Sequence, residues 1–170
     1  MLTNERGLTL AEILVAVGVI GLGLVGLAVV IPVSSYGVQE GNQISTATFL
    51  AEQMVERARA ATWTSSPAVD CLGVSNGNAP PEPNGATCVG APNPAATQFP
   101  DENTVGVGVS GYPQYRRTVR VASCAGGCAG VSNAALRLVT VTVRYTPLTA
   151  AGGQSPTPKT VTLEWLVSQK

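Results

Sequence analysis

From Leu8 to Val33 the chain carries one charged side chain, Glu12. At about 1.5 Å of rise per residue, the uncharged part from Ile13 to Pro32 spans roughly 30 Å as a helix, enough to cross the hydrocarbon core of a bilayer. This stretch therefore reads first as a membrane segment, and the rest of the chain is organised around it. A cleavable secretory signal would have a shorter apolar core closed by a small-residue A-x-A site. No such site comes after Val33 before the polar residues Ser34, Ser35 and Gln39. A plain anchor, with Arg6 and the amino terminus on the cytoplasmic side, explains the length but not Glu12. A carboxylate inside an apolar segment costs about 2.5 to 3.5 kcal/mol on insertion scales, and such residues are functional by default. It calls for a cationic partner.

The residues "RGLTLAEILVAVGVIGLGLVGLA", from Arg6 to Ala28, resemble the N-terminus of type IV prepilins and type II secretion pseudopilins. The shared pattern is a basic residue, a glycine, a hydrophobic residue, threonine, two apolar residues and glutamate. The segments "GLGLVGLA" before Pro32 and "FLAEQMVERARA" after it look most like minor pilins of the pilus-modification type. The resemblance implies cleavage by a prepilin peptidase after Gly7 and N-methylation of Leu8. It also implies that Glu12, fifth from Leu8, meets the cationic terminus of a neighbouring subunit during assembly. The implied partners are other pilin or pseudopilin subunits, the peptidase, an inner-membrane assembly platform and membrane lipid. Two positions depart from the pattern: Leu8 stands where phenylalanine is most frequent, and Ala11 replaces a larger aliphatic residue.

The remainder of the chain, beyond the apolar run, fits one exported domain on one stalk. In a chain of 170 residues the part after Pro32 is long enough for one modest core and too short for two. The formal net charge is zero and charged residues make up 12%, so attraction to nucleic acid or acidic lipid is at most local. Hydrophobic residues at 45% against aromatics at 5% predict a core of small side chains. The expected divisions are a leader at 1–7, a transmembrane and assembly helix at 8–33, an amphipathic helix at 34–63 and an exported globular domain at 64–170.

Ile44, Ala47, Ala51, Met54, Ala58 and Ala61 recur at helical steps and form a narrow stripe that lets a sheet approach closely. Pro32 removes a backbone hydrogen bond, and Gly18, Gly21, Gly23 and Gly26 lower helix stability. An interruption or kink is expected there. Ordinary packing in lipid is the plainer account of these glycines, although no pair among the four has GxxxG spacing.

From Thr64 to Asn103 the composition turns to Ser, Pro, Gly, Asn and Ala with no visible period, which reads as a long loop. Beyond it, four alternating runs, "TVGVGV", "YRRTVRVA", "LRLVTVTVRY" and "KTVTLEWLV", predict four antiparallel strands. The expected fold is α+β: a long N-terminal helix, transmembrane first and amphipathic second, packed on a four-stranded antiparallel sheet. The pilin resemblance implies the same architecture.

Cys71, Cys88, Cys124 and Cys128 suit two disulfides in an oxidising compartment. Sequence proximity favours Cys71 with Cys88 and Cys124 with Cys128, the other connectivities and an all-cysteine zinc site being the alternatives. In the tight turn, Gly126 and Gly127 would supply the unusual backbone angles. The chain has no histidine, which removes Ser-His and Cys-His nucleophile pairs and His-bearing zinc sites. No enzyme, cofactor or metal is expected.

Arg116, Arg120 and Arg144, with Arg117 and Arg137 nearby, form a candidate basic strip for nucleic acid, and Tyr112 and Tyr115 could add base stacking. A solvated strand face, with Glu164 as a cross-strand partner, is the plainer account. The resulting expectation is a minor subunit of a type IV pilus or related pseudopilus, first in the inner membrane with its C-terminal domain exported, then in a fibre at the surface or in the periplasm. The competing expectation is an anchored binding module that never polymerises and acts in adhesion or DNA capture.

Overall fold

In the computed structural model the described residues are 9–65, 68–84, 88, 97–102, 108–147 and 157–170. One helix dominates them. α1 runs from Leu10 to Ala60, 51 residues. Its start is set by Thr9, whose hydroxyl accepts from the Glu12 amide while the Glu12 carboxylate reaches back to the Thr9 amide, a capping box that satisfies two otherwise orphaned donors. The interruption expected at Pro32 and the four glycines is not found, since the helix is continuous through this region. An interior proline disfavours a helix by about 3 kcal/mol and each glycine by about 1 kcal/mol, yet neither ends α1 here.

The predicted stripe on the second half of α1 is buried at Ala47, Ala51, Met54, Ala58 and Ala61, and Leu50 and Val55 widen it. Ile44 is the exception and is exposed. Against the stripe packs a sheet whose strands are ordered β4-β5-β6, with β4 Tyr115–Ser123, β5 Leu136–Tyr145 and β6 Lys159–Ser168. These are three of the four expected strands. Val139, Val141, Val143 and Tyr145 face the helix and are buried, as their alternation requires. Both strand pairs are antiparallel and in register along their full length, Arg116 opposite Arg144 and Thr140 opposite Glu164.

The first of the four expected runs does not join this sheet in the described residues, so the single four-stranded sheet is corrected to two sheets of three strands. Residues 104–107 of that run lie outside the described residues. Its last residue, Val109, instead closes a tight turn with Tyr112. The second sheet comes from the stretch expected to be loop: β1 Trp63–Ser65, β2 Ala68–Ser75 and β3 Pro81–Asn84, all antiparallel. Its strands lack alternation because β2 is broken by a register shift between Asp70 and Val74 and β3 carries two prolines, at Pro81 and Pro83. Gly73 makes that shift feasible. Its φ of +72° is in the left-handed region, and a Cβ there would stand 2.4 Å from the Glu82 carbonyl oxygen.

Disulfides join Cys71 to Cys88 and Cys124 to Cys128, the pairing that sequence proximity favours. With all four thiols so used, an all-cysteine zinc site is not what the fold builds. In the small turn after β4, Gly127 has φ +99°, but the next left-handed residues are Ala129 and Gly130 rather than Gly126.

Candidate functional site

The apolar part of α1 is exposed around its whole circumference: Leu10, Ile13, Leu14, Val17, Ile20 and Leu24 are all more than half accessible. From Leu10 to Ala28 the helix is long and apolar enough to cross a membrane by length and composition, and none of it is buried within the chain. A secretory signal near an N-terminus passes the same test. At about 25 cal/mol per Å² of apolar surface, such a helix is strongly driven into lipid or among other apolar helices. A Cβ at Gly18, Gly21, Gly23 or Gly26 would meet nothing within 4 Å, so the chain's own packing does not demand glycine at these places.

Gly7 and Leu8, the expected processing residues, lie outside the described residues. Glu12 stands one turn into the helix. Its Oε2 accepts from the Thr9 amide and from the Thr9 hydroxyl, each at 3.0 Å. The carboxylate is therefore served within its own chain by a cap and by the partial positive charge of the helix start, and the isolated chain needs no outside cation to hold it. Sequence reasoning, which looked only for a charge partner, missed this use of Thr9, although T-x-x-E is a legible capping pattern.

The five arginines of the expected basic strip are divided by the fold. Arg117 points inward from β4 and is 4% exposed. It donates through Nε to Glu102 at 2.7 Å and through Nη1 to the Leu50 carbonyl and Gln53 Oε1 of α1, each at 2.9 Å. Arg137 points inward from β5, bridges both oxygens of Asp70 on β2 at 2.6 and 2.7 Å, and lies 4.0 Å over the Trp63 ring, which fastens the two sheets together. Arg120 points outward but holds Asp101 with two bonds of 2.6 and 2.8 Å, and this hydrogen bonding raises its pKa further. Arg116 and Arg144 stand opposite each other on β4 and β5. They line a pit of about 260 Å³ with Gln114, Tyr145, Thr146 and Pro158. Glu164 serves none of these arginines; it stands opposite Thr140.

The continuous strip for nucleic acid is thus broken, because Arg117 and Arg137 are buried and Arg120 is held by Asp101. Of the two tyrosines expected to stack on bases, Tyr115 is buried, its hydroxyl donating to the Gln43 carbonyl at 3.3 Å, and only Tyr112 is partly exposed. Beside Tyr115, the Tyr145 hydroxyl is buried with no hydrogen-bond partner among the described residues, and desolvation followed by the nearby Tyr115 raises its pKa.

A second concavity of about 460 Å³ lies between α1 and β6, with Val55, Leu163 and Trp165 as its floor and Glu52, Glu56 and Glu164 at its rim. Arg59 covers the Trp165 ring at 4.8 Å and pairs with Glu56 at 2.6 Å. Among the described residues, no group of three or more side chains is placed to ligate a metal ion. No family model, curated protein or solved structure matches this chain.

Proposed function

We propose that the protein is a membrane-anchored structural subunit of a type IV pilus or related pseudopilus, of the minor pilin kind, cut after Gly7, methylated at Leu8 and acting through assembly rather than catalysis. One observation carries the reading: a helix apolar on every side continues without a break into the core helix of an α+β domain, with a lone carboxylate at its beginning. An anchor alone would need the apolar length. It would not need a rigid shaft between membrane and domain, nor Glu12 within the apolar part. A fibre uses both, because the same apolar surface can leave lipid only if other helices cover it. The disulfides support the exported side of the reading, since such bonds persist in oxidising compartments.

The test is the intact mass of the full chain after co-expression with a prepilin peptidase. A mature protein beginning at Leu8, with Gly7→Ala left uncut, is the expected result. Retention of the first seven residues by the parent rejects the reading. The pair Arg116 and Arg144 gives the anchored binding module only a small anion-binding site, so adhesion or DNA capture stands second.

A further inference from the structure

We propose that β6 is a docking edge: an extended segment of a different polypeptide adds to it as a fourth strand of the β4-β5-β6 sheet, with apolar side chains on both faces and a basic one beside Glu52.

The two edges of that sheet are treated differently. Odd-numbered residues of β4 turn their peptide groups away from β5, and the chain uses them. Arg117 exchanges two backbone bonds with Glu102, the Tyr115 amide donates to the Tyr112 carbonyl, and the Val121 amide donates to the Ser75 hydroxyl. On β6 the register, continued by the bond from the Gln169 amide to the Ala135 carbonyl, directs the odd residues toward β5. The even ones, Thr160, Thr162, Glu164 and Leu166, therefore turn their N–H and C=O groups outward. These outward groups have no backbone partner among the described residues. Exposed edges are commonly blunted by shortness, proline, a bulge or a lysine. β6 has ten residues, no proline and no register shift, and its one lysine, Lys159, is held by Glu40.

The edge is hollow on both flanks at one level. On the helix side is the concavity floored by Val55, Leu163 and Trp165. On the opposite face a second, of about 430 Å³, lies over Ala129, Leu138 and Leu166, and Glu164 and Trp165 border both. Successive side chains of a strand point to opposite faces, so a single added strand fills the two hollows while its backbone bonds to the edge between them. Trp165 belongs to the helix-facing set of β6 yet is 45% exposed, and an added strand covers it. Half-bare tryptophans of this kind are the usual anchors of an interface.

Charge decides whose strand it is. Glu52 and Glu164 border the helix-side hollow, and neither pairs with a cation among the described residues. Glu82, on β3 of the other sheet, borders neither hollow. The incoming strand thus needs a lysine or arginine. A second copy's β6 brings only Lys159, already held, and another Glu164, while its β4 edge is occupied. Its β1 and β3 carry no cation. A foreign basic segment meets the requirement.

The experiment uses the full chain in detergent and, as probe, a short synthetic strand of valine and threonine carrying one lysine, beside a counterpart with glutamate in that place. At nine times its Kd the lysine probe should slow exchange of the Thr160, Thr162, Glu164 and Leu166 amides about tenfold. It should also shift tryptophan emission to the blue through Trp165, since Trp63 is already buried. The glutamate probe should bind about threefold more weakly or worse, and Glu52→Lys should reverse that order. Thr162→Pro removes an outward N–H without touching the ladder to β5 and should lose the probe at an unchanged unfolding midpoint. Should that variant fail to fold, N-methylation of the lysine probe at its edge-facing amides tests the same bonds and should abolish binding. No protection of the outward amides, equal affinity of the two probes, or an order unchanged in Glu52→Lys would overturn the proposal. So would self-association of the parent without probe that Thr162→Pro abolishes, which would give the edge to a second copy. The proposal stands apart from the filament reading, and none of these readouts requires cleavage at Gly7.

Discussion

Arg137 shows at the scale of one residue how the fold assigns different work to chemically identical side chains. Its guanidinium is enclosed between Asp70, the Gly73 carbonyl and the Trp63 ring, and it joins β5 to β2. Removing one partner leaves the other charge with little water to replace it, and Arg137→Leu should lower unfolding free energy by about 3 kcal/mol, read by urea denaturation with disulfides intact. Tyr145 should behave in the opposite sense. Its hydroxyl is buried without a partner among the described residues, so Tyr145→Phe should be neutral or stabilise by up to about 1 kcal/mol. The raised pKa gives a pH signature. Below about pH 10 the phenol is neutral in both states and nothing is lost; above it the unfolded chain ionises first, so stability falls as pH rises toward the folded value. Stability measured from pH 8 to 11 should fall less steeply in Tyr145→Phe than in the parent.

Among the elements, the second sheet depends on devices that leave little periodic trace. Gly73 supports the register shift of β2, and Gly73→Ala should destabilise by about 2 kcal/mol or more, since both the left-handed angle and the approach of Glu82 resist a Cβ. The two disulfides should differ in worth. Cys71–Cys88 closes a loop with a sequence separation of 17, Cys124–Cys128 one of only 4. Chain entropy then predicts losses of about 3 and about 2 kcal/mol for replacement by paired alanines, measured by the same denaturation. α1 draws its tertiary stability from the stripe at Ala47, Ala51, Met54 and Ala58, and its first half has no such support inside the chain.

For the whole molecule, the decisive contrast is between a helix half that the chain buries and one that it leaves bare. Glu12 lies in the bare half, where its carboxylate caps its own helix. If that cap were its entire role, Glu12→Val would lose a capping contact yet insert into lipid at least as well, because a charge has left the apolar segment. A pairing with a neighbour's amino terminus predicts normal insertion and cutting but poor entry into fibres, as the unpartnered terminus would then cost about 3 to 5 kcal/mol. Processing by immunoblot and content of sheared fibres measure the two separately. Equal fibre content for parent and variant would remove Glu12 from the assembly step.

Local periodicity alone determined much of the protein. The apolar run, the alanine stripe on the second half of α1 and the alternation in β5 and β6 are repeats of 3.6 or 2 residues, and each emerged on the expected face apart from Ile44 and the partly exposed Trp165. The disulfide pairing agreed with proximity in the chain. Tertiary structure alone decided the second sheet, where proline, a register shift and a left-handed glycine conceal the pattern. It also decided the arginines, because a strand's alternation says which face a side chain takes and not whether Glu102, Asp101 or Asp70, 15, 19 and 67 residues away, will reach it. Periodicity is a property of neighbours in sequence, whereas neutralising a charge depends on neighbours in space.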